Sequence, residues 1–365
     1  MSQPRPIGRI LRRPIADSES VESSALIVGA VVLVISFIVA GIVFWGSYLP
    51  IAGPGSLGQF VAIGSAIASF ITFIGGRLLA AGSGGDAMSA TRLHWWDVLA
   101  IALAHAFVAL LGWLGMSSLL EMSFQGAVVF ALSASVLAGV GIGLAAYVTF
   151  ISSVSLTPML LSLVLAVFLV VGALASMLSA SDPLWWKLNL SSLGVTDDVS
   201  ARAFNLTLII AGVMVTTIAH YATANLPTTT PREARGRRFL RIALVLIGIF
   251  LACVGIFPVD EFLEIHNTVA SGMVAIYVVM VIALRWWVPS MPRIFLILGY
   301  VYIGVIVVLA VFFITGYYNL TAVELVAGVL IFSWVIVFLR STGSVATRAA
   351  FAEAPASTVP VSRAN

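Results

Sequence analysis

PREARGRRFLR, residues Pro231–Arg241, lies between two long apolar runs and carries five arginines. Lys and Arg concentrate in the cytoplasmic loops of membrane proteins, so a loop of this kind fixes the direction in which the chain crosses. The remaining basic residues fall into register with it. Arg5, Arg9, Arg12 and Arg13 precede the first apolar run, Arg77 and Arg92 follow the second, and Arg285 and Arg293 follow the eighth. Arg340, Arg348 and Arg363 follow the last run. With ten crossings all of these lie on one side, 16 of the 18 basic residues, and only Lys187 and Arg202 lie opposite. One span more or fewer would scatter them over both faces.

Composition supports a bilayer as the solvent. Of the 365 residues 61% are hydrophobic and 9% charged, with a mean hydropathy of +1.12. A water-soluble domain could not cover so much apolar surface with so few charges. A spanning helix needs about 17–25 apolar residues and satisfies its own backbone hydrogen bonds. Such stretches lie near 25–48, 59–76, 98–118, 126–150, 156–179, 204–222, 239–257, 268–284, 294–315 and 322–339. The fourth and fifth are separated only by SSVSLTP (Ser152–Pro158), where Pro158 suits a helix start. The expected fold is therefore all-α: a polytopic transmembrane bundle of about ten spans with both termini cytoplasmic.

The opposite face is acidic, with Glu121, Asp182, Asp197, Asp198, Asp260, Glu261, Glu264 and Glu324. Trp95–Trp96, Trp185–Trp186 and Trp286–Trp287 mark interfaces, as aromatic belts do. The net charge of +3 reflects orientation, and no nucleic acid is expected as a partner. The polar N-terminal stretch and the long first run argue for a retained signal-anchor helix over a cleaved signal peptide. Cys253 is the single cysteine, which excludes an intramolecular disulfide framework. Seventeen arginines against one lysine, with abundant Ala, Val and Gly, fit a GC-rich bacterial genome and hence a cytoplasmic (inner or plasma) membrane.

Four units are expected: a disordered cytoplasmic tail over 1–24, a four-helix unit over 25–150, a six-helix unit over 155–340 and a second disordered tail over 341–365. Gly139, Gly141 and Gly143 in span four, with Gly64, Ser65 and Ser69 in span two, suit close helix packing. Asn205, Gly212, Thr216 and His220 share one face of span six, which would suit packing or an inward groove. His105 sits near the middle of span three, with no acidic residue deep in any span to complete a proton relay. No glycine-rich phosphate loop follows a strand, and no cofactor is expected.

Polar residues concentrate at the outer boundary. The loop SDPLWWKLNLSSLGVTDDVSARAFN (Ser181–Asn205) is the most polar on its side and is expected to fold over the bundle, with Gly194 permitting a tight reversal. Three patches stand at one membrane depth: Ser191–Gly194 with Phe204–Asn205, Gly255–Asp260 with Glu264–Asn267, and Tyr317–Asn319 with Glu324. Asn205, His266 and Glu324 each open an inward-running helix and could line one cavity roofed by Ser191 or Ser192. Ser192, Asn205, Asp260, His266 and Glu324 are the candidate ligand-binding residues. Each also has a plainer reading, as a helix cap, a loop bond or a turn former. Ser191 or Ser192, His266 and Glu324 contain the residue types of a serine hydrolase, though without a nucleophile elbow. A single external histidine falls short of the nitrogen and sulfur ligands that zinc sites commonly use, and no metal site is expected.

The ordered set Ser191–Ser192–Leu193–Gly194, Phe204–Asn205, Gly255–Phe257–Pro258, His266 and Val323–Glu324 resembles the domain of unknown function 998. More distantly it resembles the Frag/DRAM/Sfk group of six-span proteins. The resemblance covers spans five to ten. Leu325 departs from it, standing where a basic or bulky polar residue is expected. The resemblance implies a polytopic protein and, through the distant group, membrane lipid handling. It implies no catalytic mechanism. The leading expectation is a lipid-handling or envelope-precursor transport-associated protein with membrane lipids as partners. The alternatives are an outward-facing lipid hydrolase or acyltransferase, which requires a serine oxygen within reach of His266, and a partner subunit docking another membrane protein through the first four spans.

Overall fold

A computed structural model describes residues 18–82, 94–195, 199–224, 226, 228 and 230–353. The expected tail residues 1–17 and 354–365 and the residues Arg92, Asp197 and Asp198 lie outside the described residues. Ten helices are long and apolar enough to cross a membrane among the described residues. They are α1 (Ser18–Val43), α2 (Leu57–Gly82), α3 (Trp95–Ser123), α4 (Ala131–Val154), α5 (Pro158–Leu178), α6 (Val199–Ala224), α7 (Pro231–Ile256), α8 (Leu263–Trp287), α9 (Arg293–Ile314) and α10 (Leu320–Glu353).

The spans are where hydropathy places them, but several ends differ for local reasons. The first apolar run extends past residue 43, yet α1 stops there, ahead of Gly46 with φ +69°. A left-handed glycine ends a helix because a side chain is disfavoured in that conformation. The stretch expected to open span four contains Val128–Phe130, which forms strand β2 and pairs antiparallel with β1 (Tyr48–Pro50). These are β-branched and aromatic residues suited to an extended backbone. Helix α10 runs to Glu353, into the stretch expected as a disordered tail from 341. No proline interrupts the sequence there before Pro355.

The start of α5 is as the junction SSVSLTP suggests: the Thr157 hydroxyl caps it by accepting from Leu160 N–H at 3.1 Å. At the arginine-rich loop, Thr230 and Glu233 form a capping box and Pro231 takes the first turn of α7.

The odd-numbered connections meet at one end of the bundle. β1 and β2 join the first to the third, and Asn319 Nδ2 of the ninth donates to the Trp186 carbonyl of the fifth at 2.7 Å. The even-numbered ends meet at the other. Arg77 donates to Ser153 O at 3.1 Å, Thr217 Oγ1 to Asp97 Oδ1 at 2.9 Å, and Arg241 Nε to Thr223 Oγ1 at 2.8 Å. Alternating connections on opposite ends are what ten successive crossings require.

Close helix contact is built from small residues, because helices in lipid gain stability from packing and not from water exclusion. A Cβ on Gly143 would come within 2.9 Å of Gly29 O in α1, and one on Gly64 within 2.5 Å of Ile142 in α4. The stripe on α6 is a packing face. Gly212 and Gly248 of α7 are so close that a Cβ on either would lie within 2.6 Å of the other's carbonyl oxygen. Thr216 on that stripe faces Gly248, and Gly255 meets Asn205 O, so an open groove running the length of α6 is excluded. One large buried cluster links α2, α3 and the six later helices around Leu165, Met214, Tyr277 and Trp334. A smaller one holds α1, α2 and α4 together around Ala40, Val61 and Ala138. His105 packs against Phe73 of the larger cluster and is bonded to Ile101 O at 2.8 Å and to Ser152 Oγ at 2.8 Å.

Candidate functional site

The fifth connection is wound, not slack. Asp182 Oδ1 accepts from Leu184 N–H at 2.8 Å, closing the turn that leads into a 3-10 turn at Trp185–Lys187. A second 3-10 turn follows at Leu190–Gly194, with Leu193 and Gly194 buried. The expectation that the loop folds over the bundle holds for this described part.

Three helices hold the second turn. Glu324, in the second turn of α10, accepts from Leu190 N–H at 2.6 Å and also from the Ser191 amide. His266, in the first turn of α8, bonds Ser191 Oγ through Nε2 at 2.9 Å and Phe257 O through Nδ1 at 2.7 Å. Asn205, in the second turn of α6, donates from Nδ2 to Gly194 O at 3.0 Å. The three helix-start residues picked out in the sequence therefore converge, and what they converge on is the loop itself. The Glu324 carboxylate is half-buried here, and the two amide donors replace part of the water it loses.

A carbonyl oxygen can only accept, so Nδ1 of His266 carries the hydrogen shared with Phe257. In the neutral imidazole Nε2 is then an acceptor, and the Ser191 hydroxyl donates to it. His266 is 4% exposed. Ser192 faces elsewhere: its hydroxyl bonds Asn189 O at 2.6 Å and Trp185 O at 3.1 Å, and stabilises the turn.

Gly194 has an unexpected reason to be glycine. Its φ is not among the positive values, so a tight left-handed reversal is not what requires it. A Cβ there would lie 2.4 Å from Asn205 Oδ1 and 3.0 Å from the Phe204 ring. The missing side chain is what lets α6 reach the loop.

Beside the clasp lies a cavity of about 370 Å3, lined by Gly194, Arg202, Asn205, Leu206, Asp260 and Glu261 among others. Asn205 and Asp260 line this cavity, whereas Ser191, Ser192, His266 and Glu324 are not among its lining residues, so the single cavity expected to hold Asn205, His266 and Glu324 together is not what forms. Arg202 and Glu261 were not singled out, though as charges at the same boundary they could have been. The cavity combines both signs of charge with apolar walls from Leu206 and Ile209, and Leu206 is 40% exposed on the outside of the bundle.

Residues 162–341 match the family model described as Protein of unknown function (DUF998). The match takes in nearly all of α5 and α6–α9, and α10 as far as residue 341; α1–α4 lie outside it. No curated protein and no solved structure matches the chain significantly.

Proposed function

We propose that this polytopic membrane protein of the DUF998 family binds the polar headgroup of a membrane lipid, or of a lipid-linked envelope precursor, at the outer boundary of its six-helix unit. The observation that carries this reading is the cavity beside the clasped loop. Asn205 can offer hydrogen bonds, Arg202 a cation, and Asp260 and Glu261 anions. A phosphate-bearing headgroup with an amine would find a counter-charge for each end. The exposed Leu206 places apolar surface next to these groups, where an acyl chain would lie.

Native mass spectrometry of the purified protein tests this. One lipid class is expected to stay bound, and Arg202→Glu is expected to lower its occupancy at least tenfold. A protein that retains no lipid, or retains the same lipids after this change, would overturn the reading.

The reading also requires the clasped end to face out of the cytoplasm. In a Cys253→Ser background, Lys187→Cys is expected to react with an impermeant thiol reagent on intact cells. Ala234→Cys is expected to react only after permeabilisation. Both side chains are exposed. Reaction of both from one side would refute this topology.

A further inference from the structure

We infer that Ser191 and His266 form a nucleophile–base pair that hydrolyses a carboxylic ester of a lipid at the outer membrane boundary. The inference goes beyond headgroup binding and takes from that reading only the class of substrate.

Four features carry it. The Ser191 oxygen is 2.9 Å from His266 Nε2, within the reach a general base needs. The Phe257 carbonyl, 2.7 Å from Nδ1, holds the ring in the tautomer that leaves Nε2 free to accept a proton. This is the role a carboxylate plays in the familiar triads, here given to a main-chain oxygen. Glu324 does not touch the histidine. It fixes the amides of Leu190 and Ser191, and so sets the position of the nucleophile's own backbone. Finally, Ser191 lies three residues from Gly194. In a 3-10 turn residues i and i+3 eclipse, about 6 Å apart along the axis at a rise of about 2.0 Å per residue. The serine thus stands one turn from the wall of the cavity that Gly194 lines. Ser192 has no such base: its hydroxyl is committed to two backbone carbonyls.

The chemistry balances with water as the second reactant. Ser191 Oγ bonds the acyl carbon of the ester while its proton passes to His266 Nε2. Collapse breaks the bond from that carbon to the alcohol oxygen, which leaves with the proton from Nε2. Water then attacks the acyl-serine, giving its proton to Nε2. The carboxylic acid departs, and Ser191 regains its hydrogen.

A fluorophosphonate probe tests the pair on the full-length protein in nanodiscs. Activated serines displace its fluoride and keep the phosphonyl group, and the adduct is located by peptide mass spectrometry. One adduct is expected, on Ser191. It should be absent from Ser191→Ala and unchanged in Ser181→Ala, an exposed serine at the start of the same loop. In His266→Gln labelling should slow by roughly 100-fold, the scale of a lost general base. Folded wild-type protein, verified by a cooperative thermal transition, that takes no adduct would overturn the inference, whatever the variants do. So would an adduct on another residue, or a rate indifferent to His266. Lipid retention without labelling would sink this inference and leave headgroup binding standing; labelling without lipid retention would do the reverse.

Discussion

His266→Ala is expected to release the fifth connection from the bundle and to lower stability by about 2 kcal/mol or more, since it removes a buried ring that bonds on both sides and each unsatisfied buried group costs roughly 1–3 kcal/mol. The side chain is 4% exposed and ties Ser191 Oγ to Phe257 O. The readout is amide exchange across Leu190–Val195, together with thermal unfolding in one detergent. Exchange in this segment should rise to the rate of a frayed loop, while α2 and α4 keep their protection. From sequence alone the same change would be expected to leave stability nearly intact, because boundary residues are ordinarily exposed. Burial reverses that expectation. Unaltered protection of the loop would mean that the clasp does not depend on the histidine.

A larger loss of folded protein is expected from Gly248→Val. A Cβ at this position would lie 2.6 Å from Gly212 O and 2.9 Å from Thr216 N, both backbone atoms of α6, so no side-chain rotation can relieve it. The two helices must separate, and overpacking of this sort costs about 1–3 kcal/mol and at times more. Gly248→Ala should already lower the unfolding temperature, and Gly248→Val should leave little protein that extracts as a monodisperse species. Gly112→Ala is the contrasting case. Nothing lies within 4 Å of its added Cβ, and alanine favours a helix over glycine by about 0.5–1 kcal/mol. It should be neutral or mildly stabilising. Equal behaviour of the two alanine variants would contradict the close α6–α7 contact.

The spans and their number were legible because each is a long apolar run, and because arginine placement penalises any other count. Their ends were less so. The stop of α1 ahead of Gly46 and the Val128–Phe130 strand are decided by local backbone preference inside runs that hydropathy treats as uniform. The pairing of Tyr48–Pro50 with Val128–Phe130 joins three-residue segments far apart in the chain, and no periodicity announces it.

At the site, Asn205, His266 and Glu324 could be singled out because each is polar and stands near the start of a spanning helix. Their partners could not. Glu324 bonds main-chain amides and His266 a main-chain carbonyl, and backbone groups are the same at every position of a sequence. The plainer reading of His266, a bond within a loop, names the kind of partner but not its position, and the structure supplies it as the Phe257 carbonyl. Gly194 was misread for a related cause: glycine signals either a positive φ or a close approach, and only the position of Asn205 shows which. The α6 stripe was ambiguous between groove and packing until Gly248 was seen to fill it.

A photoreactive phospholipid tests most directly whether a lipid occupies the cavity beside the clasped loop. With the protein in nanodiscs doped with a lipid carrying a diazirine next to its headgroup, cross-linked peptides are mapped by mass spectrometry. Adducts are expected to concentrate on Gly194–Ile209 and Pro258–Glu261, and to fall sharply in Arg202→Glu. Adducts spread evenly over the apolar faces of all ten helices, with no enrichment in these two segments, would contradict it.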